Sequence, residues 1–272
     1  MRRPLIVAAA ALLAIFLYLA NFAWWLDAQV LDRDQFVATT VDVLRMPTSR
    51  DATARIIVDQ LVEEIPLLRV IDTSLVSVFS ELLATEQLEG LLVVLGVEVH
   101  ERLVTGDQSA IVMDLEPYRD TLLAPLEAIS PELVSLVPEG WFSSVNVLEE
   151  GAIPNLEPYA RRTASGLVVA LAMAVLLAIA TVVLAGRRIA ALVAIGGAFV
   201  VAGGLSTFLV PAARSVTVSR FGSQSFGVVV LNLENELNHT LVARSWLLAF
   251  VGLTLVSIGL ILWANQTLHP EV

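Results

Sequence analysis

His100, His239 and His269 are the only imidazoles in a chain that contains no cysteine. Only His100 has carboxylates beside it, in the run Glu98-Val99-His100-Glu101. A zinc site on one helix needs a second His at i+4, and none follows. On a helix, Glu98 and His100 would also point about 160° apart. His100 falls on the flank of an apolar stripe, in line with Glu89 and Gly96. It reads as a satisfied boundary histidine and not as a metal ligand, and if it has a role, that role is a hydrogen bond positioning the following turn rather than catalysis. The lack of Cys removes disulfides and thiolate metal sites. All sixteen basic residues are Arg, so a Schiff-base lysine is excluded. No G-x-S-x-G elbow, phosphate loop or dinucleotide fingerprint is present. Gly196-Gly197 and Gly203-Gly204 lie inside an apolar run, where they mean close packing or a hinge. Asn238-His239-Thr240 and Asn265-Gln266-Thr267 fit the glycosylation triplet, a pattern short enough to arise by chance. The expectation is therefore no catalytic residue, no cofactor-binding residue and no metal ligand, with enzymatic activity disfavoured.

The elements that would carry any function are set by hydropathy. The chain has 272 residues, is 57% hydrophobic and has a mean hydropathy of +0.78, too apolar for an ordinary soluble domain. Four long runs account for the average. Pro4 to Leu26, 23 residues after Arg2 and Arg3, would rise about 34 Å as a helix, enough to cross a hydrocarbon core. Ala20-Asn21-Phe22-Ala23 puts Asn where a cleavage site needs a small residue, so residues 1–26 are expected to be an uncleaved signal anchor. Trp24 and Trp25 would sit in an interfacial aromatic belt. Ala164 to Gly186 and Ile189 to Ala213 form a hairpin of two spans over residues 164–213, with Gly186-Arg187-Arg188 between them. Small residues recur in both, Gly166, Ala170, Ala174 and Ala178 facing Ala190, Ala194, Ala198, Ala202 and Ser206. Such ladders let helix backbones approach closely in lipid, and they predict a tight antiparallel pair. Residues 245–264, with Trp246 and Trp263 at the ends, make a fourth span, followed by a polar cytoplasmic tail at 265–272. No acidic, basic or amide side chain interrupts spans two to four, which disfavours a pump or channel.

Residues 27–163 form an acidic domain. Between Asp27 and Ala160 stand 24 acidic residues against seven Arg, which argues against nucleic acid as a partner. Helical stripes dominate. Asp32 and Gln35 look like a capping box ahead of Val37, Val41 and Leu44, with Pro47 ending that helix. Thr48 and Asp51 repeat the pattern before Ala54, Ile57, Val58, Leu61, Val62 and Ile65, a stripe ended by Pro66. Thr73 and Ser74 are cap candidates before Leu75, Val78, Phe79, Leu82 and Leu83. Thr85 opens a longer helix buried through Leu88, Leu91, Leu92, Leu95, Val99 and Leu103. Gly106-Asp107 is a turn, Ala110 to Met113 and Ser144 to Leu148 are candidate paired strands, and Pro117 starts a helix through Leu126. In residues 214–244, Val230, Leu233, Leu237 and Leu241 predict a helix lying on the large domain or the membrane surface. The fold class is thus mainly α: four transmembrane helices with a helical extracytoplasmic domain, holding one small β pair, between the first and second.

Arg density orients the spans. With the N-terminus inside, the cytoplasmic pieces total about fourteen residues and hold Arg2, Arg3, Arg187 and Arg188. Arg33, Arg161, Arg162, Arg214, Arg220 and Arg244 spread over several times that length outside, and Arg161-Arg162 are dissenting evidence. The expected location is the cell membrane, multi-pass, with the large domain extracytoplasmic.

The post-anchor stretch Val30-Leu31-Asp32-Arg33-Asp34-Gln35-Phe36, with Leu44, Pro47 and the segment from His100 through Leu115, resembles a family of actinobacterial integral membrane proteins of unassigned function. That resemblance implies a topology and no activity. The order of one span, a large outer domain and three further spans is also similar to FtsX-like and MacB-like proteins, which partner ABC ATPases. The chain departs from them in having no room for a cytoplasmic coupling helix. The expected function is a binding, scaffolding or accessory module of the cell envelope, with the lipid bilayer and an envelope protein or a second copy of the chain as partners. A transport or envelope-remodelling subunit, and a membrane-embedded enzyme acting on lipid or wall precursors, are the alternatives.

Overall fold

A computed structural model describes residues 2–129, 131–138, 140–148, 150–151, 153–221 and 226–268. The chain is mainly helical, and its contacts divide it into two units. One gathers the residues up to Val30, Tyr159–Ala213 and those from Leu237 on; the other gathers Leu31–Pro158 and Arg214–Glu236. The first is called the spanning unit below, the second the acidic unit.

The acidic unit begins with α2 (Arg33–Leu44), which follows α1 (Arg2–Trp25). Asp32 caps α2, its Oδ1 accepting from the Gln35 amide at 2.9 Å, as the spacing predicts. The next two caps differ from expectation. Helix α3 (Pro47–Glu64) starts on Pro47 itself, with Met46 as its uncapped flank, because proline at the first helical position loses no hydrogen bond. Thr48 therefore lies inside the first turn, and its hydroxyl accepts from Asn232 at 3.0 Å instead of capping. Helix α4 (Asp72–Leu82) likewise begins before Thr73 and Ser74, after a 3₁₀ turn at Pro66–Ile71. Helix α5 (Glu86–Thr105) follows Thr85 and stops at Gly106, whose φ of 77° ends the helix in the left-handed region.

The apolar stripes close on one another. Ala54, Ile57, Val58, Leu61, Val62 and Ile65 are all buried, as are Leu75, Phe79 and Leu83. Val76 is buried on α4 where the stripe predicts Val78, which is half-buried. On α5, Val99 is half-buried and His100 is the buried neighbour. Phe36, Phe79 and Phe142 are the largest side chains with almost no exposure. Each such side chain contributes about 1.5–3 kcal/mol by leaving water.

Strand β1 (Ile111–Met113) pairs antiparallel with β2 (Val145–Leu148). The register is Ile111↔Leu148, Val112↔Asn146 and Met113↔Val145, with an irregularity between Ile111 and Val112. The predicted pairing is thus present, and helices α6 (Arg119–Ile129) and α7 (Pro131–Val134) lie between the strands in sequence. Gln60 on α3 takes the place of a third strand at Asn146. Its Nε2 donates to Asn146 O at 2.5 Å, and its Oε1 accepts from the Asn146 amide at 3.2 Å.

Among the described residues four helices are long and apolar enough to cross a membrane: α1, α8 (Glu157–Ala185), α9 (Arg188–Phe221) and α10 (Gly227–Leu268). Gly186, at φ 62°, turns the chain from α8 into α9. Two boundaries differ from expectation. Helix α9 continues past Ala213, carrying Pro211 inside it, and α10 runs unbroken for 42 residues. The predicted surface helix and fourth span are therefore one element, because nothing between Leu241 and Ser245 interrupts helical geometry.

The small-residue ladders meet their partners differently from expectation. Ala174 of α8 and Ala198 of α9 do share a cluster, but Leu13 and Ala14 of α1 are part of it too. Gly166 is exposed, with nothing within 4 Å of a Cβ added there. Among the described glycines the closest backbone approach is between α9 and α10. A Cβ on Gly203 would stand 2.4 Å from Ser245 O, and one on Gly252 would stand 2.5 Å from Gly196 O.

Candidate functional site

His100 sits on the α5 face that packs against α2. It is buried, its Nε2 lies 3.2 Å from Leu31 O, and its ring tilts against Phe36 with centroids 5.3 Å apart. The imidazole thus ties the start of the acidic unit to α5. It holds Leu31, the last residue of the π-helical segment Leu26–Leu31, and not the turn that follows α5. That turn is held by Arg102, two residues on. Its guanidinium meets Glu98 at 2.8 Å, Asp107 at 3.3 Å, and both the carbonyl and hydroxyl of Ser109. The Ser109 amide, then its hydroxyl, and to a smaller degree Arg102 hold the Asp107 carboxyl below the usual carboxylate range. Glu98 and His100 are therefore not brought together; each serves a different contact. His239 is exposed on α10, and His269 lies outside the described residues. Among the described residues no three His, Cys, Asp or Glu side chains are placed to share a metal ion.

The acidic unit has a cleft whose lining combines charge with an aromatic ring. It measures about 370 Å³ and is walled by Gln60, Glu63, Glu64, Pro138, Trp141 and Ser144, among others. Glu63 and Glu64 end α3, where the helix's terminal carbonyls already carry partial negative charge and no basic residue answers them. Among the described residues neither carboxylate has an ion pair. Trp141 is half-buried, its ring edge-on to the buried Phe142 at 4.9 Å between centroids. Phe142 O in turn accepts from the Leu115 amide at 2.6 Å, so the indole stands on a fixed base. Two carboxylates beside an indole suit a cationic group on an apolar stem, which gains from the charge and from the ring face. No G-x-x-G or His motif marks this cleft, and its parts come from residues 60–64 and 138–145, so spacing alone could not assemble it.

The chain matches no protein-family model, no curated protein and no solved structure. Its chemistry therefore has to be read from its own side chains.

The spanning unit holds a polar junction that the sequence reading did not single out. Asn21 of α1 donates to Ser245 Oγ on α10 at 3.1 Å, and Ser245 Oγ lies 2.7 Å from Ser206 Oγ on α9. Ser206 and Ser245 are both fully buried. Trp25 spends its indole N–H on Leu237 O at 2.9 Å and Thr240 Oγ1 at 3.1 Å, while the Arg244 guanidinium lies 3.0 Å above the Trp24 ring. The two tryptophans expected at the membrane interface are thus fasteners between α1 and α10. Asn21 carried a signal, being the one amide in the first apolar run, but its partner lies 224 residues away in sequence. These contacts join α1, α9 and α10, so the junction holds helices together.

Proposed function

We propose that this chain is a multi-pass protein of the cell membrane, with a cytoplasmic N-terminus, whose acidic unit faces out of the cytoplasm and works as a binding or accessory module in the envelope. The observation that supports it best is the cleft of Glu63, Glu64 and Trp141, an electronegative recess without an internal cation. It suits a basic side chain of an envelope protein, whose charge the two carboxylates meet and whose apolar stem the indole covers. The dense Arg pairs Arg2-Arg3 and Arg187-Arg188 support the orientation. The looser resemblance to actinobacterial membrane proteins is consistent with this reading and adds no activity to it.

The test is affinity purification from the native host in mild detergent with crosslinking, for the parent chain and for Glu63→Gln/Glu64→Gln. A stoichiometric basic partner that the double variant loses is the expected result. Recovery of the chain with lipid alone would overturn the module reading, and so would a specific hydrolase or transferase activity in the purified protein. Orientation is tested separately. The chain has no native cysteine, so Thr73→Cys, exposed on α4, should react with a membrane-impermeant thiol reagent added to intact cells.

A further inference from the structure

At one end of the spanning unit, α9 and α10 part to leave a groove of about 870 Å³. Arg187 and Arg188 line it together with Val193, Leu260, Trp263 and Gln266. Three observations belong together here. Among the described residues neither guanidinium has an ion pair, and no carboxylate lines the groove. The walls below the charges are apolar and open, Leu260 being 53% and Trp263 58% exposed. Beside the groove the two helices touch, because a Cβ on Gly259 would stand 2.7 Å from Val193 Cγ2.

From this we propose that the groove binds an anionic phospholipid, its phosphate held by Arg187 and Arg188 and an acyl chain laid along Val193, Leu260 and Trp263. A guanidinium presents a planar fork that matches phosphate oxygens with two parallel hydrogen bonds, and an adjacent pair can take both free oxygens of a phosphodiester. A small aqueous anion would use the arginines and leave the apolar wall unused. A zwitterionic lipid would fill the wall and bring its own cation to the arginines. Only an amphiphile with net negative charge at the headgroup satisfies both halves. The position suits it, since α9 and α10 are both long and apolar enough to span, and basic pockets at the ends of spans are where acidic headgroups lodge.

The full chain, purified in mild detergent and stripped of lipid, is titrated with phosphatidylglycerol or phosphatidylcholine and read by native mass spectrometry. The expected result is one phosphatidylglycerol per chain, held at least about tenfold more tightly than phosphatidylcholine, a difference the charge-assisted bonds can supply. Arg187→Gln/Arg188→Gln should bring the two lipids to within about twofold of each other. Arg161→Gln/Arg162→Gln, which removes equal charge at the start of α8, should keep the preference. Arg187→Lys/Arg188→Lys should keep part of it, and an unchanged elution volume and helical circular dichroism show that each variant is folded. Three results would overturn the proposal. These are equal affinity for the two lipids, equal loss in the two glutamine double variants, and displacement of bound lipid by soluble glycerol phosphate at the lipid's own affinity. The last would mark an anion site without a lipid wall.

Discussion

The acidic unit and the α9–α10 seam solve the same packing problem with opposite materials. In the first, the sealed positions are large: Phe36, Phe79 and Phe142 have almost no exposure, with Leu61, Leu68 and Leu75 beside them. In the second, the closest approaches fall at positions with no side chain, Gly203 against Ser245 O and Gly252 against Gly196 O. The difference follows from the surroundings each sequence is suited to. In water, removing apolar area from solvent drives packing, so bulk is rewarded. Where lipid is as apolar as leucine, that drive vanishes, and helices associate through close backbone contact and a few hydrogen bonds. The Asn21–Ser245–Ser206 contacts are the polar part of that second solution.

The comparison predicts opposite responses to adding and deleting carbon. The largest effect should come from Phe79→Ala, which empties a fully buried ring site. A loss of about 3–5 kcal/mol is expected in chemical denaturation of the acidic unit's signal. Gly203→Ala should cost about 1–3 kcal/mol in thermal stability in detergent, because the new methyl meets backbone that cannot move aside. Its neighbour sharpens the point. A Cβ on Gly204 meets nothing within 4 Å, so Gly204→Ala should be neutral or stabilise the helix by up to about 1 kcal/mol. If both substitutions cost the same, glycine serves flexibility in α9 and the close-packing account fails. Ser245→Ala removes hydrogen bonds to two other helices and should cost about 0.6 kcal/mol, a typical value for such bonds among spans.

The smallest effect belongs to the α5 turn. The Asp107 carboxyl is held below its ordinary range in the folded chain, first by the Ser109 amide. A depressed folded pKa stabilises at pH above the unfolded value and loses that contribution as pH falls through the folded value. Asp107→Asn should therefore flatten the acid limb of the turn's protection, read by amide hydrogen exchange at Ser109, while global stability changes little.

Where sequence reading succeeded, the signal was local and periodic. The stripe from Ala54 to Ile65 and the Asp32 cap depend on residues within one or a few helical turns, and burial confirms them. The two caps that moved, at Thr48 and Thr73, show the limit of that logic. A hydroxyl near a helix start can cap it, but Pro47 already opens α3 at no cost, which leaves Thr48 for Asn232. The extent of α10 was illegible for a related reason. Its amphipathic first turns and its apolar remainder have different periodicities, yet no residue between them breaks a helix. The cleft at Trp141 was invisible because Glu63 and Glu64 meet it from a segment far away in sequence.

Hydropathy by itself determined that four helices among the described residues are fit to span, roughly where their apolar parts lie, and that an acidic helical segment separates the first from the rest. Those properties are sums along the chain, and each span closes its own backbone hydrogen bonds without a partner. Only the tertiary structure decided which glycines face backbone, that His100 reaches back to Leu31, and that Asn21, Ser206 and Ser245 meet. Such contacts depend on how helices rotate about their axes. That rotation is set by packing between segments far apart in sequence, so no window of the chain contains it.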